Sequence, residues 1–154
     1  MLKTEVRISM DHFLKHEEVR WADLDPNFHL RHSVYYDYGA TVRIDFLHQQ
    51  GLTAQFMHQH SFGPIIFREE CVFKKEIRLN DVVSIDMRLQ KATTDHSRWT
   101  IQHNIFKNGN ILFAIVTIDG AWMDVVKRKL THPPEEVYLA FNQMPRDVSF
   151  EWIT

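Results

Sequence analysis

Apolar side chains at Tyr35, Tyr38, Val42 and Phe46 recur at spacings of three and four, with Leu47 beside them. They mark one face of a helix running between Ser33 and Gly51. Ser33 is placed to cap its start and Gly51 to end it, which predicts a helix of about 25 Å at 1.5 Å per residue. Gly39 falls inside that helix at a cost of up to about 1 kcal/mol relative to alanine, which a close approach of the helix backbone to a sheet explains. Downstream the period changes to two. A strand from Ile65 to Leu79, with a bulge near Glu69-Glu70, precedes the alternation of Val83, Ile85, Met87 and Leu89 against Ser84, Asp86 and Arg88. Trp99, Ile101, His103 and Ile105 then alternate with Thr100, Gln102 and Asn104. Asn108-Gly109 is a two-residue hairpin signal, because both turn positions favour positive φ. The strand from Ile111 to Met123 is apolar on both faces over Leu112 to Val116, which predicts a central strand covered on two sides.

One helix followed by a meander of about four long antiparallel strands is an α+β arrangement. The economical packing lays the helix lengthwise across the concave face of the sheet. Pro133-Pro134 marks a break and Glu135 to Asn142 a short terminal helix, within ends (1–15 and 130–154) that are otherwise weakly patterned. A chain of 154 residues is expected to form a single domain, 1–154, and five glycines and five prolines leave no low-complexity linker.

Composition narrows the function classes. With 18 basic and 20 acidic side chains, a formal charge of −2 supplies no global basic field for nucleic acid. The lone cysteine, Cys71, excludes an intrachain disulfide framework, suits a reducing compartment and reads as a small apolar filler. No apolar run approaches the ~18 residues of a membrane span, and Met1-Leu2-Lys3-Thr4-Glu5 lacks the apolar core of a signal peptide, so the expected location is cytoplasmic.

The chemistry concentrates just ahead of the helix. Between Asp23 and His32 lie two aspartates, a proline and two histidines. Amides at a helix start point outward without intrahelical partners and sit at the positive end of the macrodipole, so they can stabilise an oxygen gaining negative charge. Pro26 holds the chain extended at Asp25 and bends it immediately beyond, which presents that carboxylate. Asp23 shares a strand face with Asp25 if the strand from Val19 persists, and reads as a structural acceptor. His29 and His32 add polar rings, whose plainer role would be bonding to backbone or water. His29-x-x-His32 with the two aspartates, and His58-x-His60, can supply nitrogen and oxygen ligands, but neither spacing is a recognised zinc arrangement, so no metal or other cofactor is expected.

Trp21-x-Asp23-x-Asp25-Pro26, a polar residue seven positions after Asp25 (His32), then Tyr35-x-x-Tyr38 and Arg43 resemble the hotdog-fold acyl-CoA thioesterases of the 4-hydroxybenzoyl-CoA type. The resemblance covers most of the chain and departs from the family's glycine-bearing loops at Asn27-Phe28-His29-Leu30-Arg31-His32. It implies a hotdog fold and acyl-CoA hydrolysis, with Asp25 attacking the thioester carbonyl or activating water. It further implies that the His32 amide is an oxyanion donor, that the His32 side chain orients water or the acyl group, and that His29 stands where some members carry a histidine. Ser33 and Tyr35 would border the substrate. Arg88 and Arg98 would meet CoA phosphates, with Lys74-Lys75, Arg78 and Lys127-Arg128-Lys129 as further cationic candidates. Tyr35, Tyr38, Phe56, Phe62, Phe67 and Phe73 are candidates for lining an acyl pocket. Exposed sheet edges imply a homodimer or homotetramer with the site at the interface. Two rivals stay open. An enoyl-thioester hydratase on the same fold wants a histidine five residues after the aspartate, one more than Asp25 to His29 provides. A non-catalytic acyl-thioester-binding hotdog module would look almost the same, but for the retained Asp25.

Overall fold

The computed structural model of the protein describes residues 7–9 and 12–154; Met1–Glu5, read above as lacking a leader core, lies outside them. Among the described residues nine strands form one sheet around one long helix. In chain order these are β1 (Arg7–Ser9), β2 (His12–Glu18), a 3-10 turn (Trp21–Asp23), α1 (His32–Gln49), α2 (Ala54–Gln59), β3 (Phe62–Phe73), β4 (Val82–Asp86) and β5 (Arg88–Ala92). They continue with β6 (Arg98–Lys107), β7 (Ile111–Asp124), β8 (Lys129–Leu130), α3 (Glu135–Gln143) and β9 (Arg146–Trp152).

β7 is central, paired antiparallel with β3 on one side and β6 on the other. β4 and β5 both run along the far edge of β6 in one register, Ile85 opposite Ile105 and Arg88 opposite Gln102. The single strand expected over Val83 to Leu89 is therefore one bent strand interrupted at Met87. The cause is local: an Asp86 carboxylate oxygen accepts the Asn104 amide at 2.6 Å, and the Asp86 carbonyl accepts a ring N–H of His103 at 2.8 Å, so ladder groups are taken by side chains. β2 pairs with β4, and β9 runs parallel to β5. β2 and the short α2 come from segments with little alternation, whereas β9 alternates Val148, Phe150 and Trp152 with Asp147, Ser149 and Glu151.

Helix α1 buries Val34, Tyr35, Tyr38, Val42, Phe46 and Leu47, the face that its periodicity marks. They meet Ile85, Leu89, Ile101, Ile105, Val116 and Ile118 of the sheet in one core, each fully buried side chain contributing roughly 1.5–3 kcal/mol. Gly39 has the expected role: a Cβ there would lie 3.0 Å from His103 Cδ2 and 3.2 Å from Arg43 Nη1. His103 is wholly buried, and burial pushes its imidazole down to about 3, with the Arg43 charge adding to the shift. The neutral ring accepts from Arg43 at 3.0 Å and donates to Asp86, which pins the middle of the helix to the sheet. Gly51, at φ +79°, ends the helix as expected, with its amide on the His48 carbonyl.

Three expectations are corrected. Ser33 does not cap α1: Arg31 takes the N-cap position, and Ser33 Oγ accepts from Arg31 Nε at 2.9 Å. β3 spans Phe62–Phe73 instead of Ile65 to Leu79 and bulges between Ile66 and Arg68, not at Glu69-Glu70. It stops because the Lys74 and Lys75 amides both turn onto the Phe113 carbonyl. The outer face of β7 is mixed, with half-buried Ile115, Thr117 and Asp119 between buried Ala114, Val116 and Ile118. Among the described residues no helix is long and apolar enough to cross a membrane.

Candidate active site

The segment from Val19 to Arg31 is not a strand followed by a loop; it is two successive turns with opposite fates. The first, Trp21–Asp23, buries the Asp23 carboxylate under Arg20, whose Nη2 and Nε donate to it at 2.6 and 2.9 Å. These hydrogen bonds hold Asp23 below the usual carboxylate range against the opposing effect of burial. The strand face that Asp23 and Asp25 were expected to share does not exist.

The second turn is built by Asp25 and Pro26. The Asp25 carbonyl accepts the Phe28 amide at 2.9 Å, Phe28 takes φ +63°, and the Asp25 amide returns to the His29 carbonyl at 2.8 Å. Asp25 Oδ1 accepts the amides of Asn27 at 2.8 Å and His29 at 3.1 Å. The carboxylate is thus oriented by its own turn through one oxygen, while Oδ2 has no hydrogen-bond partner among the described residues. Beyond it, the Leu30 amide donates to the Ile77 carbonyl and the Arg31 amide to Asp23, so both flanks of the turn are anchored and α1 begins at His32. The helix N-cap makes no side-chain bond, which leaves the amides of His32 and Ser33 without an acceptor among the described residues.

These elements border a cleft of 390 Å³ whose walls include Asp25, His29, His32, Tyr35, Lys75 and Glu76. Tyr35 stacks edge-on against Phe73 at 4.9 Å, and burial pushes its hydroxyl up to about 12, so it stays a neutral donor. His29 Nε2 lies 3.0 Å from Glu76 Oε2, a pairing that pattern reading could not supply because Glu76 sits in an irregular stretch after β3. The arrangement provides an oriented carboxylate, free helix-start amides, a carboxylate-held imidazole and lysines at the rim.

Of the residues expected from the sequence, Asp25, His29, His32 and Tyr35 meet here, together with Lys74 and Lys75. Ser33 does not line the cleft, and its hydroxyl is held by Arg31. Arg88 does not reach this cleft; it is engaged by Asp86 at 3.1 Å and lies 3.9 Å from Asp147. Arg98 stands opposite Ala121 at the far end of β6 and β7, over the Phe67 ring. Of the considered ligand set, Asp23 lies outside this cleft under Arg20, and among the described residues no three His, Cys, Asp or Glu side chains are grouped as a metal site. A separate apolar cavity of 170 Å³ lies toward the other end of α1, bordered by Arg43, Phe46, Trp99, Trp122 and Phe141, and shares no residue with the cleft.

The model of the thioesterase-like superfamily matches residues 19–141, which include the whole of the cleft. A comparison with curated proteins gives no match. Among solved structures, a hypothetical protein from Thermus thermophilus is similar at 21% identity and a TM-score of 0.75, over 85% of this chain and 98% of that one. A hypothetical protein from Staphylococcus aureus, solved in complex with CoA, is 15% identical with a TM-score of 0.80 over 90% and 89% of the two chains. A 1,4-dihydroxy-2-naphthoyl-CoA thioesterase from Synechocystis is 15% identical with a TM-score of 0.76, covering 85% of this chain and 96% of that one. With the superfamily match, these likenesses establish the fold as the hotdog fold, a curled antiparallel sheet around one central helix.

Proposed function

This chain belongs to the thioesterase-like superfamily and is a thioester hydrolase, and from that premise we propose that it cleaves an acyl-CoA to the free acid and CoA at the Asp25 cleft. One observation carries the reading: Asp25, whose Oδ2 has no hydrogen-bond partner among the described residues, and His32, whose helix-start amide has none, border the same cleft. A thioester carbonyl with its oxygen toward that amide offers its carbon to Asp25, as nucleophile or through a water that Asp25 deprotonates. The amide gains most as the oxygen becomes an oxyanion, so it favours the transition state over the bound substrate. The Lys74 and Lys75 ammonium groups at the rim suit the phosphates of CoA. The CoA bound by the Staphylococcus protein and the acyl-CoA named for the Synechocystis enzyme support this substrate class.

Self-association as a homodimer or homotetramer is part of the proposal. β3 pairs only with β7 among the described residues, and its exposed Ile66, Phe67, Val72 and Phe73 make an apolar open edge. Sedimentation should find an oligomer, and a fully active monomer at assay concentration would refute the need for one. Dialysis against a chelator should leave turnover unchanged; activity lost and then restored by a divalent ion would show that a metal takes part.

The test of the activity is a panel of acyl-CoAs of varied chain length and aromaticity, assayed for free thiol. Thiol release from at least one is expected. No release from any, or consumption of an enoyl-CoA without release, would transfer the assignment to acyl-thioester binding or to hydration.

A further inference from the structure

We propose that Glu76 is a positioning residue of this site, acting through His29; the inference rests on the Asp25 reading given above. The His29 backbone is fixed on three sides. Its amide donates to Asp25 Oδ1, its carbonyl accepts the Asp25 amide, and it forms an isolated antiparallel bridge with Arg78. Only the ring torsions stay free, and Nε2 lies 3.0 Å from Glu76 Oε2, a charge contact that favours one ring orientation. A carboxylate cannot donate, so Nε2 carries the proton and Nδ1 keeps the lone pair. Glu76 is steadied in turn by Arg78, whose Nη2 lies 3.6 Å from the same oxygen. A base needs an orienting partner as well as a position, and Asp25, His29 and Glu76 supply attacking group, base and orienter along one wall of the cleft.

The proton path follows. Asp25 Oδ2 bonds to the thioester carbon, the C–S bond breaks, and CoA leaves as thiolate. Water then attacks the resulting acyl anhydride and gives one proton to His29 Nδ1; the C–O bond to Asp25 breaks and the carboxylic acid departs, ionising to solvent. The imidazolium returns its proton to the thiolate, so acyl-CoA and water yield acid and CoA with His29 and Asp25 restored.

Glu76 is exposed, so Glu76→Gln and Glu76→Ala leave the fold intact. Glu76→Ala is expected to lower kcat about tenfold, less than the whole contribution of a positioned base, with KM unchanged within about twofold; Glu76→Gln, whose amide oxygen still accepts from Nε2–H, is expected to lose less. In a His29→Ala background the same changes should alter kcat by less than about twofold, because the path through the ring is already gone. Imidazole 15N shifts, recorded well above the ordinary histidine titration range, should show His29 as the Nε2–H tautomer in the wild type and as a mixture in Glu76→Ala. Wild-type kcat in Glu76→Ala, an equal loss in the His29→Ala background, or an unchanged tautomer in Glu76→Ala would overturn the proposal. Failure of the underlying site reading looks different: Asp25→Asn would then keep its turnover.

Discussion

Asp23 and Asp25 are two residues apart and chemically alike, yet they end in opposite environments. Asp23 is buried and its charge is consumed by Arg20, which also donates its backbone amide at 3.2 Å. Asp25 borders an open cleft and spends one oxygen on the amides of its own turn, the other having no hydrogen-bond partner among the described residues. The difference comes from Pro26 and from the 3-10 turn before it, which break the strand that would have aligned the two. A carboxylate becomes a structural strut or a reactive group according to which of its lone pairs the backbone leaves free.

The largest effect should come from removing the charge of the free carboxylate. Asp25→Asn is expected to lower turnover by at least ~100-fold while the thermal midpoint stays close to wild type, because the amide oxygen can still accept from Asn27 and His29. The matching change, Asp23→Asn, should invert the pattern. It weakens a charge-assisted pair and is expected to cost roughly 1–2 kcal/mol of stability, with turnover at saturating substrate within a few-fold of wild type. If both variants lost activity equally with intact folds, the contrast between the two carboxylates would be wrong.

Stability should also fall on acidification, in two windows. His103 titrates at about 3 in the folded protein against about 6.5 unfolded. As pH drops below that unfolded value, the unfolded chain takes a proton that the folded chain refuses. Denaturant midpoints should therefore fall between pH 7 and pH 5, by about 2 kcal/mol from His103 at the limiting slope of about 1.4 kcal/mol per unit. Burial lowers His96 as well, which adds in the same direction. Asp23 acts in a lower window. Its folded value is depressed, so its contribution is present above the unfolded value and disappears as pH falls through the folded one. Asp23→Asn should lack that lower loss while keeping the upper one.

Smaller effects should mark out the rim. Lys75→Ala is expected to raise KM several-fold with kcat nearly unchanged, as loss of a phosphate contact should. Arg98→Ala, at the other end of the sheet, should change kcat/KM less than about twofold; a large effect in a fully assembled protein would show that a neighbouring subunit brings it to the cleft.

The sequence made the helix legible because its apolar face is long and strictly spaced, and Gly39 announced the close contact that His103 fills. The break at Met87 was invisible because Asp86 alternates as a strand residue should, and only its hydrogen bonds reveal that it diverts the ladder. β2 was hidden because its residues do not alternate cleanly, and pairing to β4 supplies what propensity does not; β9 does alternate, Val148, Phe150 and Trp152 against Asp147, Ser149 and Glu151, a signal that was there to be read. At the site, Asp25, His29 and His32 were readable from their density and from Pro26. Glu76 was not, since its role depends on a contact between residues 47 positions apart. Within one chain Arg88 is held by Asp86 away from the cleft, which charge alone does not reveal.

The account stands on the location of the thioester beside Asp25, and CoA itself tests that location without any choice of acyl group. Titrating the 15N-labelled protein with CoA and following backbone amide shifts should perturb His32, Ser33, Lys74 and Lys75 first, with Arg98 unmoved. Shifts centred on Arg98 or on the Arg43 cavity, with the His32 and Ser33 amides unchanged at saturation, would contradict it.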